Sequence, residues 1–206
     1  MILLTCAVAR ELAFWETRAG VDVLVAGVGP VEAAVSVAHV LAQQRYKLVV
    51  NAGIGGAFDG AAAVGDAVVV ARDRLELDYE TGAPIALPDG EPIADEAVSD
   101  PLLVTRMTEH GFARVSGITV SRITATEETA QRLIALGAQV ESMEGFAVLR
   151  AAQRAGIPAI QLRGISNRCG SQDRSSWNFD AGFDAVRRIT EALFEGLDAA
   201  HRTGAP

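Results

Sequence analysis

The sequence predicts an α/β domain built around a buried sheet, and three observations support this fold class. Short apolar segments with little polar alternation, such as residues 21–28 and 48–51, alternate with helical segments. Strands of that composition are typical of a sheet covered by helices on both faces. Half of the residues are hydrophobic but only 5% are aromatic, and 20 glycines and 7 prolines supply turns, which excludes a disordered chain. Because no repeat, linker or low-complexity tract divides the chain, residues 1–206 are predicted to form a single domain.

The predicted strands are apolar runs that end at glycine, proline or charged residues. The first run stops at the pair Arg10-Glu11, and the second stops in the Gly-Val-Gly-Pro sequence of residues 27–30. The more polar stretches 72–100 and 167–180 are predicted to be loops. The strands expected on this basis cover residues 1–8, 21–28, 48–51, 67–71, 117–124, 140–142 and 159–165.

The predicted helices have recognisable first and last turns. Pro30 and Glu32 suit the first turn of a helix, because proline is tolerated there and an acid interacts favourably with the helix dipole. Thr126 is a predicted N-cap followed by two glutamates. Gly156, with proline two residues later, ends another helix and precedes a strand. The helices expected on this basis cover residues 31–44, a segment beginning after Thr126, residues 143–155 and residues 181–201.

The charge and cysteine content exclude several classes of protein. Lys and Arg number 18 against 26 Asp and Glu, so the net charge of −8 gives no general attraction for the phosphates of a nucleic acid. The two cysteines, Cys6 and Cys169, form neither a disulfide framework nor a zinc motif, and three scattered histidines indicate no metal site. No apolar run is long enough for a membrane span, and the N-terminus lacks the basic region of a signal peptide. We therefore expect a cytoplasmic protein with no membrane or nucleic-acid partner.

A glycine-rich segment at residues 51–57 is the first candidate for ligand binding. It follows a predicted strand, where open α/β sheets bind ligands, and Gly53, Ile54 and Gly55 are the predicted contacts. Glycines there let a ligand approach the backbone and allow positive φ angles. The segment is neither a GxGxxG motif that opens a helix nor a Walker A loop. Taken alone, it is equally well explained as a tight turn.

Three polar side chains follow predicted strands and are further candidates. Glu144 begins a predicted helix, where a carboxylate either interacts with the helix dipole or accepts hydrogen bonds from hydroxyl groups of a ligand. Glu11 follows the first strand and is alternatively a solvated acid at the start of a helix. Asn167 follows the last strand and is alternatively part of a turn with Ser166.

Taken together, these segments resemble the purine nucleoside phosphorylase and methylthioadenosine/S-adenosylhomocysteine nucleosidase superfamily. The resemblance covers essentially the whole chain, and its most specific parts are the Met-Glu and Arg-Gly-Ile-Ser motifs. It implies a three-layer fold with a mixed, twisted central sheet flanked by helices. The segments that carry it are Glu11 and residues 51–57, 64–69, 143–147 and 163–167.

The resemblance also implies a reaction and the residues that perform it. Cleavage of an N-ribosidic bond passes through an oxocarbenium-like transition state, which requires a polarised water, a nearby anion and a stabilised leaving base. Glu11 matches the position that orients and deprotonates the water, and Glu144 matches the carboxylate that accepts both ribose hydroxyls. Met143 corresponds to a residue that packs against the sugar, and Asn167 to one that hydrogen-bonds the base near N7. No cofactor or metal is implied.

Two departures from relatives in the superfamily narrow this expectation. The methylthioadenosine nucleosidases carry an aspartate at the position of Asn167, and this aspartate can donate a proton to N7 of the base. An asparagine amide can instead donate a hydrogen bond to a 6-oxo group or to N7, which suits hypoxanthine. Related phosphorylases carry a phosphate-binding arginine where Asn51 stands, so hydrolysis is expected, although Arg10 lies beside a second such position. Residues 165–177 are most similar to a branch of nucleosidases that release hypoxanthine in menaquinone biosynthesis.

The remaining expectations concern the rest of a small-molecule nucleoside substrate. Ile123 and Thr124 correspond to the loop beside the base, and Arg168 is a predicted substrate contact beyond Asn167. Arg174, Trp177 and Phe179 are further candidates for the 5′ end of the substrate. In the family a neighbouring subunit often completes that end, so a homodimer or higher homo-oligomer is expected. The alternatives are a methylthioadenosine/S-adenosylhomocysteine or other purine nucleosidase, and a non-catalytic nucleoside-binding protein.

Overall fold

The computed structural model describes residues 1–78, 83, 85–171 and 173–203. Within these residues, eight strands form one mixed sheet and five α-helices flank it, which confirms the predicted fold class. The strands are β1 (Ile2–Cys6), β2 (Val21–Val25), β3 (Leu48–Ala57), β4 (Ala67–Leu75), β5 (Glu96–Val98), β6 (Ala113–Thr119), β7 (Val140–Ser142) and β8 (Ala159–Arg168). The helices are α1 (Pro30–Gln43), α2 (Pro101–Glu109), α3 (Glu127–Ala135), α4 (Gly145–Arg154) and α5 (Phe179–Thr203), with 3-10 turns at Ala9–Leu12 and Arg174–Ser176.

The strand pairing closes part of the sheet into a ring. β3 pairs with β8 in parallel, β8 with β4 antiparallel, and β4 with β6 in parallel. β6 then pairs in parallel with β7, whose antiparallel contact with the end of β3 completes the ring. β1 and β2 extend the sheet in parallel beyond β3, and β5 is antiparallel to β4. Ring closure leaves these five strands with few free edges.

Both faces of the central strands are buried, as their apolar composition predicts. Leu4 and Val50 belong to a core that includes α5, whereas their neighbours Leu3 and Val49 belong to a core that includes α1 and α4. Successive side chains on a strand point to opposite faces, so an unbroken apolar run supplies both cores. No helix in the described part of the chain is long and apolar enough to cross a membrane.

The structure corrects several predicted boundaries. Residues 51–57 do not form a turn, because β3 continues to Ala57 and pairs with β8 on one side and with β7 at its end. β8 likewise extends to Arg168, and β6 ends at Thr119 rather than at residue 124. The predicted loop 72–100 contains the end of β4 and all of β5. β3, β4, β5 and β8 occupy these segments because pairing with distant strands outweighs the local signal of glycine or polar residues.

Gly164 allows β8 and α5 to pack closely, and this contact gives a testable prediction. A Cβ atom at Gly164 would lie 2.1 Å from the Gly182 carbonyl oxygen and 2.8 Å from the Val186 nitrogen, both of them backbone atoms. We expect Gly164→Ala to lower the free energy of unfolding by about 1–3 kcal/mol, measured by urea denaturation. The control is Gly196→Ala in α5, where the nearest atom would be 3.6 Å away. That variant should be up to about 1 kcal/mol more stable. Equal effects of the two variants would contradict the argument.

Candidate active site

An open cleft of about 180 Å³ lies where β1 ends, beside the second halves of β3 and β8. Neighbouring parallel strands deliver their carboxyl-terminal residues to one edge of a sheet, where α/β proteins bind ligands. The predicted site residues that line this cleft are Glu11, Ile54, Gly55, Ile123, Met143, Glu144 and Asn167.

Glu11 lies in the 3-10 turn after β1, and backbone amides fix its carboxylate. Oε2 accepts hydrogen bonds from the N–H groups of Ala7 (2.8 Å) and Val8 (3.1 Å), and Oε1 accepts one from Ile54 (2.9 Å). The side chain is only 3% exposed. A Cβ atom at Gly53 would lie 2.7 Å from Glu11 Oε1, so this glycine makes room for the carboxylate rather than forming part of the cleft lining.

Glu144 stands at the N-terminus of α4 and lines the same cleft. Its Oε1 accepts a hydrogen bond of 2.8 Å from the N–H of Gly29, which adopts a φ of 93° in the loop after β2. Burial raises the pKa of Glu144, and the Gly29 hydrogen bond and the charge of Arg163 oppose that rise. Met143 packs beside it against the cluster that contains Phe58.

Arg163 is a fully buried cation near the carboxylates of the cleft. Its guanidinium donates to the backbone oxygen of Leu162 and to the side-chain oxygen of Asn51. Burial lowers its pKa, while the negative charges of Glu144, Glu11 and Asp73 raise it. A buried charge persists only where it is paired and hydrogen-bonded. No role of its own was expected for Arg163, although an arginine within an otherwise apolar strand is a signal for one.

Asp73 connects this cation to the start of α4. Thr119 donates a hydrogen bond of 2.7 Å to Asp73 and accepts one of 2.8 Å from the N–H of Phe146. Gln161 donates to the second carboxylate oxygen at 2.8 Å. Burial raises the pKa of Asp73 to about 6, although both hydrogen bonds and Arg163 lower it. Sequence reasoning missed this residue because its partners are distant along the chain.

The raised pKa of Asp73 predicts a dependence of stability on pH. With a pKa of about 6 when folded and about 3.9 when unfolded, the folded state binds more protons between these values. Its stabilising contribution is therefore present below about pH 4 and is lost as the pH rises through about 6. We expect the free energy of unfolding of the wild type, relative to Asp73→Asn, to fall from pH 4 to pH 7. Asp59→Asn, an exposed acid, is the control, and a flat difference would contradict the prediction.

Asn167 presents an N–H group to the cleft because its oxygen already has a partner. Ser166 donates a hydrogen bond of 2.8 Å to Asn167 Oδ1, which sets the orientation of the amide. Nδ2 makes one hydrogen bond of 3.3 Å to the Arg168 carbonyl oxygen. Since an amide nitrogen carries two hydrogens, one donor remains for a ligand.

Besides Gly53, the predicted contacts Thr124 and Arg168 lie outside the cleft lining, as does Asn51. Thr124 is buried, and its N–H and hydroxyl both donate to Glu141. The Arg168 side chain is 57% exposed and pairs with Asp59 at 2.6 Å. Asn51, the position of a phosphate-binding arginine in related phosphorylases, is buried and contacts Thr5 and Arg163.

The mouth of the cleft is apolar. Val8, Val28 and Trp177 line it, and the Arg174 guanidinium lies 5.6 Å from the Trp177 ring centre. Four residues were candidates for contacts with the 5′ end of the substrate: Arg168, Arg174, Trp177 and Phe179. Within the described part of the chain, only Trp177 of these four lines the cleft. One member of the segment 165–177, Gln172, lies outside them.

Two buried carboxylates and an oriented amide around one cleft are the groups that cleavage of a nucleoside requires. The family model of the phosphorylase superfamily matches residues 8–198. The chain belongs to this superfamily.

Futalosine hydrolase from Streptomyces coelicolor is 36% identical over 190 residues, which cover 84% of this chain and 77% of that protein. Futalosine hydrolase from Acidothermus cellulolyticus is also 36% identical, covering 87% of this chain and 75% of that protein. Within the superfamily, the chain therefore belongs to the futalosine hydrolase family. Among solved structures, the 5′-methylthioadenosine/S-adenosylhomocysteine nucleosidase of Neisseria meningitidis, in complex with methylthio-immucillin-A, superposes with a TM-score of 0.79. It is 16% identical and covers 95% of this chain and 98% of that one, so this likeness shows the fold.

Proposed function

We propose that this protein hydrolyses the N-ribosidic bond of futalosine, releasing hypoxanthine and dehypoxanthine futalosine in the menaquinone pathway of the cytoplasm. The observation that carries the proposal is the meeting of Glu11, Glu144 and Asn167 in one cleft. The identity to two futalosine hydrolases over most of the chain supports the choice of substrate. The apolar mouth at Trp177 suits the carboxyphenyl group at the 5′ end of futalosine.

The proposed reaction needs only water and the side chains of the cleft. Glu11 accepts a proton from a water molecule whose oxygen forms the new bond to C1′ of the ribose. The bond between C1′ and N9 of the base breaks, and its electron pair leaves with the base. Glu144 accepts hydrogen bonds from the 2′ and 3′ hydroxyls and places negative charge near the developing oxocarbenium ion. Three backbone N–H groups hold Glu11 in place for this step.

Asn167 stabilises the leaving base by donating a hydrogen bond to N7 or O6. An amide has no proton to transfer at neutral pH, so it acts by hydrogen bonding and the departing base takes its proton from water. Its orientation by Ser166 directs a donor toward the ligand. A 6-oxopurine offers acceptors at both O6 and N7, whereas adenine presents an amino group at position 6.

Base preference tests this role of Asn167. We expect Asn167→Asp to lower kcat/KM for futalosine and to raise the relative activity on its 6-amino analogue. The change should be about one to two decades, because an unpaired buried polar group costs about 1–3 kcal/mol. The measurement is the ratio of kcat/KM for the two substrates in wild type and variant. An unchanged ratio would mean that other groups select the base.

Hydrolysis rather than phosphorolysis is proposed because the Asn51 side chain is already hydrogen-bonded to Thr5 and Arg163 and offers no cation for phosphate. The negative charge of Glu11 also repels phosphate. In the decisive experiment, the purified protein is incubated with futalosine in the presence of a metal chelator, with and without phosphate. The products are then separated by chromatography. Free hypoxanthine formed without phosphate supports the proposal. Phosphate-dependent formation of a ribosyl phosphate would exclude it.

The alternatives make different predictions in the same assay. A methylthioadenosine/S-adenosylhomocysteine nucleosidase would cleave methylthioadenosine, but Asn167 has no acidic proton for its 6-amino purine. A non-catalytic nucleoside-binding protein would release no base from futalosine, inosine or methylthioadenosine. The buried, amide-held carboxylate of Glu11 favours catalysis over storage.

We also propose that the protein acts as a homo-oligomer. Val25, Val28, Val31 and Val35 are exposed on β2, the following loop and α1, and Val28 also lines the cleft. Exposed apolar patches of this kind are typical of protein interfaces. A second copy at this patch would cover the mouth of the cleft. Sedimentation of the purified protein measures the oligomeric state.

A further inference from the structure

Glu144 occupies the N-cap position of α4 but does not cap its own helix. An N-cap side chain ordinarily accepts a hydrogen bond from the second or third N–H of the helix, here that of Phe146 or Ala147. The Glu144 carboxylate instead accepts the N–H of Gly29 at 2.8 Å, and Glu144 lines the cleft. The start of α4 therefore needs another acceptor, because the first N–H groups of a helix have no partner within it.

Thr119, the last residue of β6, supplies this acceptor. Its hydroxyl oxygen accepts the N–H of Phe146 at 2.8 Å, and its hydroxyl hydrogen is donated to Asp73 at 2.7 Å. The N–H before it, that of Gly145, donates to the Ser142 hydroxyl at 3.3 Å. Since a hydroxyl has a single hydrogen, the bond to Asp73 leaves only lone pairs to face the helix. Asp73 thereby fixes the direction in which the Thr119 hydroxyl acts.

Two glycines and a glutamine hold the Asp73 carboxylate at this position. A Cβ atom at Gly145, the first residue of α4, would collide with Asp73 Oδ2, and one at Gly117 would lie 2.6 Å from the same oxygen. Gln161 donates to this oxygen at 2.8 Å. A negative charge beside the N-terminus of a helix is itself favourable. The carboxylate is therefore fixed against the first turn of α4.

Thr119 and Asp73 act on the cleft only through other residues. Both side chains are fully buried, and neither lines the cleft, so they cannot touch a ligand there. Burial of a hydroxyl and a carboxylate costs free energy unless hydrogen bonds satisfy them. A valine at position 119 would fill nearly the same volume without that cost. The hydroxyl is therefore of use for the contact that it makes with α4.

We propose that Thr119, oriented by Asp73, caps α4 in place of Glu144 and so leaves the Glu144 carboxylate free to accept hydroxyl groups of the ligand. Thr119 is thus a positioning residue. The inference rests on the proposed function for the identity of those hydroxyls, the 2′ and 3′ hydroxyls of the ribose. Without the Thr119 hydroxyl, the N–H of Phe146 has no partner and competes with Gly29 for the Glu144 carboxylate.

The first test follows the Gly29 amide and needs no substrate. Amide hydrogen exchange is measured by NMR in the wild type, Thr119→Val, Thr119→Ser and the control Thr126→Val. Thr126 caps α3 with its own hydroxyl, so the control loses a cap of the same kind on another helix. In Thr119→Val the Gly29 amide should exchange about 10-fold faster or more, because it loses a hydrogen bond to a charged group. Thr119→Ser keeps the hydroxyl and should restore the wild-type rate, and Thr126→Val should not change it.

The second readout is the preference for a ribosyl over a 2′-deoxyribosyl substrate. The ratio of kcat/KM for futalosine to that for its 2′-deoxy analogue should fall about 10-fold in Thr119→Val, because Glu144 is drawn away from the 2′ hydroxyl. Thr119→Ser and Thr126→Val should keep the wild-type ratio. A purely structural role of Thr119 would lower kcat/KM for both substrates alike and leave the ratio unchanged.

The outcomes separate the inference from the proposed reaction. Exchange of the Gly29 amide in the ligand-free wild type as fast as in an unfolded chain would overturn the inference, and no variant needs to fold for that result. A wild-type exchange rate or a wild-type substrate ratio in folded Thr119→Val would also overturn it. If the Gly29 rates change as expected but no variant or wild type cleaves futalosine, the proposed reaction fails and the capping role of Thr119 stands.

Discussion

Glu11→Gln is expected to lower kcat for futalosine by about 10²–10⁴-fold, the usual loss when a positioned general base is removed. KM should stay within a few-fold of the wild-type value, because Glu11 acts on the water and not on the substrate hydroxyls. Glutamine has the same length and keeps an oxygen for the N–H groups of Ala7 and Val8. Its amide nitrogen would face the N–H of Ile54, so a modest loss of stability is also expected.

The control for this variant is Glu16→Gln, an exposed acid a few residues further along the chain that does not line the cleft. Thermal unfolding of both variants separates a lost base from a lost fold. A second readout is the pH profile, since activity that remains in Glu11→Gln should rise with hydroxide concentration. Near-wild-type kcat in a folded Glu11→Gln variant would assign activation of the water to another group.

The sequence was sufficient for the fold class because the central strands are apolar on both faces. Neighbouring residues on a strand pack into different cores, as do Leu3 and Leu4, and Val49 and Val50. Each strand is therefore an unbroken apolar run, which can be recognised from the sequence. The glycine segment at 51–57 misled the prediction because glycine usually marks a turn. Its glycines instead admit Glu11 and Asn167 beside a continuous strand. The approach of Asn167 to Gly56 depends on the pairing of β3 with β8, whose residues are more than 100 positions apart.

The residues of the site that the sequence predicted differ in their position on the strands from those that it missed. Glu11 and Glu144 follow strands and Asn167 lies at the end of β8, so sequence position and family resemblance were enough to place them at one edge of the sheet. Glu141 and Asp73 lie inside strands, and only the partners that surround them make them notable. Arg163 also lies inside a strand, where an arginine among apolar residues is a signal in the sequence itself. The single domain over residues 1–206 and the individual catalytic roles stay predictions.

Glu144→Gln is expected to lower kcat/KM for futalosine by about 10²-fold or more. Two hydroxyl hydrogen bonds to a charged acceptor are each weakened, and such bonds contribute about 1.5–3 kcal/mol apiece. The negative charge near the developing oxocarbenium ion is lost as well, so kcat falls together with an increase in KM. This joint effect distinguishes Glu144→Gln from Glu11→Gln, where KM is nearly constant.

A substrate that lacks the 2′ hydroxyl tests the contact directly. The wild type should lose activity on the 2′-deoxy analogue, whereas Glu144→Gln should lose much less, because its contact with that hydroxyl is already weakened. Equal losses in the two proteins would place the hydroxyl against another residue. Exposed Glu109→Gln, at the end of α2, serves as the control.

The pH dependence of the wild type supplies an independent check on Glu144. Only the ionised carboxylate accepts both hydroxyls, and burial raises its pKa above the ordinary value for glutamate. Activity should therefore fall as the pH drops through that raised pKa, earlier than an unperturbed glutamate would allow. In Glu144→Gln this acidic limb should be lost or displaced, because the group that sets it is gone. An acidic limb that is the same in both proteins would show that another acid, and not Glu144, controls the ionisation required for hydrolysis.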